Sequence, residues 1–331
     1  MKFLICGIGS IGQRHYKNLV SLGHDGAIFR SRKNVTPHIK KFLTEEKKQK
    51  REVKIFFDLE KAIQEFNPDA VFVTNPTSLH AETALKSARL GCHVFIEKPV
   101  SHDLKRLNIL QKIAKKKNLK IMIGYNFRFH PLLQKMKKLV DMGTIGKPIS
   151  AQVEAGENVE DWHPWENYKK TYSVNKKLGG GVVLSFSHDI DYLYWFFGMP
   201  KVVASSGGKL TPLLGDAEDM VESLLEFPNK AIASLHLDFW QRPKKRTFDL
   251  IGAKGEMSLD FETGILQVSQ GKIGKKKIFK APSGFERNSM YIEEAKSFIQ
   301  SIKKNTEPEA CLAQGIDVLK IALKIKKKIS F

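Results

Sequence analysis

Two side chains in this sequence combine proton-transfer chemistry with a local setting that would aim them. They are Lys98, inside Glu97-Lys98-Pro99, and His188, which follows the turn Gly179-Gly180-Gly181. A lysine amine held beside another positive group drops below its ordinary pKa and becomes a workable acid or base near neutrality. Pro99 fixes the backbone torsion behind it and stops strand pairing there. His188 opens an apolar helical run carrying Ile190, Leu193 and Trp195, where an imidazole can bond a hydroxyl or relay its proton. Moving a hydride to or from an alcohol carbon requires such a partner for the hydroxyl proton. The plainer readings stay open: a surface lysine in a lysine-rich chain, and a buried histidine that caps its helix.

A hydride also needs a carrier, and the chain opens with a segment suited to holding one. Gly7-Ile8-Gly9-Ser10-Ile11-Gly12 follows the apolar run Phe3–Cys6 and leads into a helical stretch with Tyr16, Leu19 and Val20. In that context Gly7 makes the tight turn, Gly9 lets backbone approach a pyrophosphate, and Gly12 lets helix pack on strand. The amides around Ser10 and Ile11 then face the phosphates at the helix N-terminus. An NAD site would place Asp or Glu at the end of the second strand, to bond the ribose 2′-hydroxyl. This chain has Arg30-Ser31-Arg32 there instead. Arg30, Ser31 and Arg32 suit a 2′-phosphate, so the expected cofactor is NADP in preference to NAD.

The elements around these residues fall into two halves. Short β-rich apolar runs at Phe3–Cys6, Ala27–Phe29, Val53–Phe57, Ala70–Thr74, His93–Ile96 and Ile121–Ile123 alternate with helical stretches. Such an alternation predicts a doubly wound parallel sheet. The helix after Ser78 places Ala81, Ala84, Leu85 and Ala88 on one face and stops at Gly91. After about residue 125 the runs lengthen and alternate: Ser150–Ala155, Lys201–Ser205, Met220–Phe227, Ala231–Asp238, Arg246–Ile251, Glu256–Asp260 and Ile265–Val268. Alternation with short turns predicts a mostly antiparallel sheet. Helices are expected over Leu132–Val140, His188–Phe197, Tyr291–Lys303 and Gln314–Lys328. The expected fold is therefore α/β: a Rossmann domain over 1–124, then an α/β domain with an open sheet over 125–331.

Composition narrows the partners. A length of 331 residues suits two cores. No stretch reaches the roughly 18 apolar residues of a membrane span, and none is long enough for a signal-peptide core. Cys6, Cys92 and Cys311 are too scattered for a disulfide framework or a metal knuckle, so no metal is expected and the cytoplasm is the natural compartment. The net charge of +20 comes from scattered lysines rather than arginines interleaved with aromatics. That reads as a solvated surface, not as a specific nucleic-acid site.

Taken together, the motifs resemble the glucose-fructose oxidoreductase / inositol dehydrogenase (Gfo/Idh/MocA) family. The resemblance runs through Gly7–Gly12 with His15, Thr74-Asn75-Pro76 with His80, Glu97-Lys98-Pro99, Gly124-Tyr125-Asn126-Phe127-Arg128-Phe129 and Pro131. It continues through Ile145-Gly146-Lys147-Pro148, Gly179-Gly180-Gly181 with His188, and Gly252-Ala253-Lys254-Gly255. It implies an oxidoreductase acting on sugars, cyclitols or nucleotide-sugars, assembled as a homodimer or homotetramer through the open sheet face. It also implies a cis bond before Pro99, Lys98 as acid/base with His188 assisting, and further cofactor contacts from Thr74, Asn75, His80 and Glu97. Tyr125, Arg128, Trp162, His163 and Tyr168 are expected on the substrate side, where aromatic faces suit sugar rings and an arginine suits an anion. One departure stands out: many members carry an aspartate four residues before the histidine, and here that residue is Leu184, followed by Ser185. A non-catalytic NADP-binding or sensing protein of the same fold is the alternative this departure raises.

Overall fold

The structure, a computed structural model, describes residues 1–162, 168–213, 215–271 and 275–330. The chain divides into two compact units. The first is Met1–Gly124 with Tyr291–Ile316; the second is Tyr125–Met290 with Asp317–Phe331.

In the first unit, six parallel strands form one sheet: β1 (Lys2–Cys6), β2 (Asp25–Phe29), β3 (Lys54–Phe56), β4 (Ala70–Val73), β5 (His93–Glu97) and β6 (Ile121–Gly124), in the order β3-β2-β1-β4-β5-β6. The reversal beside β1 makes this the doubly wound arrangement that binds ligands beyond the carboxyl ends of its strands. Helices α1 (Ser10–Ser21), α2 (Pro37–Lys48), α3 (Leu59–Phe66), α4 (His80–Arg89) and α5 (Leu107–Lys116) connect them. Central strands are apolar throughout because both faces are covered: Phe3, Leu4, Ile5, Cys6 and Ala70 to Val73 are buried. Helix α4 buries Ala81, Ala84, Leu85 and Ala88, and the chain then turns at Gly91 with φ +90°.

The sequence reading assigns everything after residue 124 to one second domain, and here the structure differs. Helix α9 (Arg287–Lys304) returns Tyr291–Ile316 to the first unit. The physical reason is aromatic packing. Phe298 meets the stacked Phe72 and Phe95 rings edge-on, each at 5.8 Å, and Tyr291 meets His15 at 5.8 Å. These contacts join residues more than 200 positions apart, so no local pattern announces them.

The second unit is built on β7 (Pro148–Gly156), β8 (Lys201–Gly208), β9 (Met220–Glu226), β10 (Ile232–Asp238), β11 (Lys245–Gly252), β12 (Gly255–Asp260), β13 (Ile265–Gln270), β14 (Lys275–Lys280) and β15 (Ile329–Ser330). They form a nine-stranded sheet in the order β14-β13-β12-β11-β7-β10-β9-β8-β15, antiparallel except for the β7–β10 and β8–β15 pairs. Helices α6 (Pro131–Asp141), α7 (Val182–Ser185), α8 (Ser187–Phe197) and α10 (Leu312–Lys328) accompany it. Alternation decides the two faces. Val153, Leu235, Val221, Phe248, Leu250, Leu259 and Leu266 are buried, and Tyr192 and Phe196 of α8 pack on Phe248 at 5.1 and 5.0 Å. The alternate positions Gln152, Glu154, Glu222, Ser234, His236, Thr247 and Asp249 line a shallow polar hollow on the other face.

Candidate functional site

The glycine loop sits at the carboxyl end of β1 in close contact with the loop after β4. Gly7 has φ +111°, and a Cβ there would lie 2.9 Å from the Thr74 carbonyl oxygen and the Asn75 nitrogen. A Cβ on Gly12 would lie 2.2 Å from the Gly7 carbonyl oxygen and 2.8 Å from Thr74 Oγ1. Thr74 Oγ1 in turn donates to the Cys6 or Gly7 carbonyl, at 3.2 and 3.1 Å. Gly9 is the opposite case: nothing lies within 4 Å of its Cβ position. It caps α1 without a side chain, so no capping side chain accepts the first-turn amides of Ser10 and Ile11 among the described residues. Open space, orphan N–H groups and the positive end of a helix fit a dinucleotide pyrophosphate.

At the end of β2, Arg30 is 8% exposed while Ser31 and Arg32 are exposed. An outer Arg30 nitrogen donates to the Asn34 carbonyl, and Arg30 Nε has no partner among the described residues. No carboxylate stands in this segment, which reads Arg30-Ser31-Arg32-Lys33.

Lys98 follows β5, two strands from β1 in the same sheet. Two buried histidines hold the backbone around it. His15 Nε2 lies 2.6 Å from Glu97 Oε1, and Glu97 Oε2 accepts the Lys98 backbone N–H at 3.2 Å. His80 Nδ1 lies 2.8 Å from the Pro99 carbonyl, and its Nε2 lies 2.8 Å from the Asn75 carbonyl. Glu97 and His80 are thus engaged within the unit, fixing the turn that presents Lys98. A neutral ring donates to only one of these carbonyls at a time. Burial holds the His80 pKa below its ordinary value, outweighing the two carbonyls and Glu97, which act the other way. Asn75 Nδ2 donates to Thr83 Oγ1 at 2.8 Å, and its Oδ1 has no partner among the described residues. The Lys98–Pro99 bond is cis.

In the second unit, His188 lies in the first turn of α8. Its ring packs against Phe127 at 4.9 Å and edge-on to Tyr125 at 5.9 Å. Tyr125 is fully buried, and burial holds its hydroxyl well above its ordinary pKa. Arg128 is committed elsewhere: its Nε and an outer nitrogen donate to Asp191 at 2.9 and 2.7 Å, both side chains being buried. This bidentate pair ties the turn after β6 to α8 and so seats Phe127 on His188. Trp162 stands edge-on to Phe186 and Phe239 at 5.8 and 5.2 Å. Tyr168 is half-buried in a single 3₁₀ turn closed by the Thr171 hydroxyl. His163 lies outside the described residues. Leu184 is buried in α7, and Asp189 accepts the Tyr192 hydroxyl at 2.8 Å.

Arg246 is the site residue that sequence reasoning missed. It occupies the covered side of β11, in phase with the buried Phe248 and Leu250. An arginine at a core-phase position of an alternating strand was the available signal. Its guanidinium lies over Phe127 at 4.7 Å and Phe186 at 5.3 Å, so it shares the Phe127 ring with His188.

Comparison with known proteins bears on the family and fold of the chain. Residues 1–125 match a family described as an oxidoreductase family with an NAD-binding Rossmann fold. Residues 133–258 match the GFO/IDH/MocA C-terminal domain. The chain is 27% identical over 338 residues to the myo-inositol 2-dehydrogenase of Thermotoga maritima, covering 99% of this chain and 96% of that protein. It is 26% identical to the levoglucosan dehydrogenase of Pseudarthrobacter phenanthrenivorans, over 59% of this chain and 57% of that one. The solved structure of a levoglucosan dehydrogenase in complex with NADH superposes with a TM-score of 0.86 at 20% identity, over 99% of this chain and 96% of that one. A UDP-N-acetylglucosamine 3-dehydrogenase from Acidithiobacillus ferrooxidans superposes at 0.80 with 20% identity, over 99% and 97%. These structural likenesses establish the shared fold.

Proposed function

Since the chain belongs to the Gfo/Idh/MocA oxidoreductase family and so acts on CH–OH groups with a nicotinamide cofactor, we propose that it interconverts a sugar-like alcohol and its ketone. Sugars, cyclitols and nucleotide-sugars are the substrate class. The observation that carries this reading is Lys98, placed after β5 beyond the sheet edge that also carries the glycine loop, its backbone fixed by Glu97. The bound nicotinamide supplies the hydride acceptor or donor. Lys98 takes the proton from the substrate hydroxyl during oxidation and returns it during reduction. His188, held in orientation by Phe127 and Tyr125, assists by bonding a substrate hydroxyl. The first-turn amides of α1 bind the pyrophosphate.

The finer cofactor choice is NADP over NAD, supported by Arg30, Ser31 and Arg32 where an NAD site would carry an acid. The expected result of paired titrations is tighter binding of NADPH than NADH, with Arg30→Ala reversing the order; tighter NADH binding by the unaltered protein sinks this choice. A homodimer or homotetramer pairing through the polar sheet face is the assembly we favour, because that face carries alternating groups with no covering helix among the described residues. Three buried thiols support a reducing, cytoplasmic setting. The test of the reaction is a panel of sugars, cyclitols and nucleotide-sugars followed at the nicotinamide absorbance band. A silent panel, with cofactor bound, favours the non-catalytic reading that Leu184 raises.

A further inference from the structure

Two arginines border the His188 region, and their bonding differs. Arg128 lies 2.7 Å from Asp191 and is fully buried. Arg246 meets Asp189 only at 3.3 Å, from Nε and from an outer nitrogen, and its side chain keeps 16% exposure. A tight charge-assisted pair is nearer 2.7–2.9 Å. Asp189 also accepts the Tyr192 hydroxyl, so its charge is shared. Among the described residues no other polar group bonds the Arg246 guanidinium, which has five N–H donors. Phe127 and Phe186 hold the guanidinium between their rings, which limits where the remaining donors point. Phe186 also borders Trp162, whose indole N–H is buried without an acceptor among the described residues. Two sets of donors therefore flank one ring. A neutral hydroxyl satisfies such donors poorly, whereas a carboxylate or phosphate matches a planar guanidinium.

We propose that Arg246, which shares the Phe186 ring with Trp162, is a specificity residue for an anionic group on the substrate: the carboxylate of a sugar acid or the diphosphate of a nucleotide-sugar. The proposal rests on the oxidoreductase reading for the identity of the site and narrows its substrate class. Arg128, the arginine expected to meet an anion, is spent on Asp191; Arg246 takes that role.

The experiment is calorimetric titration of the cofactor-loaded protein with D-glucuronate, UDP-glucose and D-glucose. Expected is binding of at least one anionic ligand about 10- to 100-fold tighter than glucose, the value of one charge-assisted pair. Tight glucuronate alone identifies the carboxylate as the source, and tight UDP-glucose alone the diphosphate. R246M removes the charge while keeping a stem between the rings. Because it leaves Asp189 buried without its cation, the R246M/D189N pair is measured alongside as the neutral counterpart. Both should lower anionic binding to the glucose level and leave glucose within about twofold. Equal binding of all three ligands by the unaltered protein overturns the proposal, as does failure to bind either anion, or anionic binding unchanged in the folded double variant. Nicotinamide absorbance in the same samples reports the reaction separately. Arg246-dependent binding without any absorbance change supports the anion site while counting against turnover of these ligands.

Discussion

At the residue scale, one amine carries the acid–base account. Lys98→Ala should reduce turnover by about 10²–10⁴, the usual worth of a general acid–base, with cofactor affinity retained; near-normal turnover removes Lys98 from the mechanism. Gly12 tests the cofactor cradle. Any side chain there meets the Gly7 carbonyl at 2.2 Å, so Gly12→Val should abolish NADH and NADPH binding and cost about 1–3 kcal/mol of stability. Fluorescence titration and thermal melting read the two effects. The glycine loop and Glu97-Lys98-Pro99 were legible because each is a contiguous run whose meaning depends on the strand just before it. The roles of the arginines were not. Arg128 finds Asp191 across 63 positions, and Arg246 becomes informative only once the phase of β11 is known.

At the element scale, the polar face of the nine-stranded sheet makes a pH prediction. His236 lies 2.9 Å from Asp238 Oδ2 and 2.5 Å from Glu222 Oε1. The Asp238 bond first, then Glu222, against the opposing effect of burial, raise its pKa from 6.5 to about 9. Across the sheet it is in register with Glu154, which pairs with Lys245 at 2.6 Å. A raised folded pKa means the stabilisation is whole below about 6.5 and fades as pH climbs through about 9. His236→Gln should therefore lower the melting temperature at pH 6.5 and much less at pH 10. The gap corresponds to roughly 1–3 kcal/mol, reduced by the exposure of Glu222. A gap independent of pH contradicts the assignment. Most strands were legible from alternation or apolar runs, but β14 was not. Its Lys275-Lys276-Lys277 opening reads as a charged loop, whereas lysines on an outermost strand deter further pairing and are compatible with a sheet edge.

At the scale of the whole molecule, the +20 charge and two-core length were plain from composition, but the path of the chain was not. The nucleotide unit takes its last helix from Tyr291–Ile316. A fragment ending at Gly124 should accordingly melt well below the same unit completed by residues 291–316 through a flexible linker. The loss is at least the roughly 3–5 kcal/mol of one deleted core phenylalanine, since Phe298 would be missing. Equal melting of the two by circular dichroism refutes this.

That interleaving also sets an order of events during synthesis. When Gly124 leaves the ribosome, the aromatic face formed by His15, Phe72 and Phe95 has no cover, and the intervening segment, 125–290, must be made before its cover arrives. At about 5–20 residues per second the wait is on the order of 10–30 s, long enough for a folding helper to engage the bare rings. The nascent chain thus completes this unit only after the whole segment between its two pieces has been made.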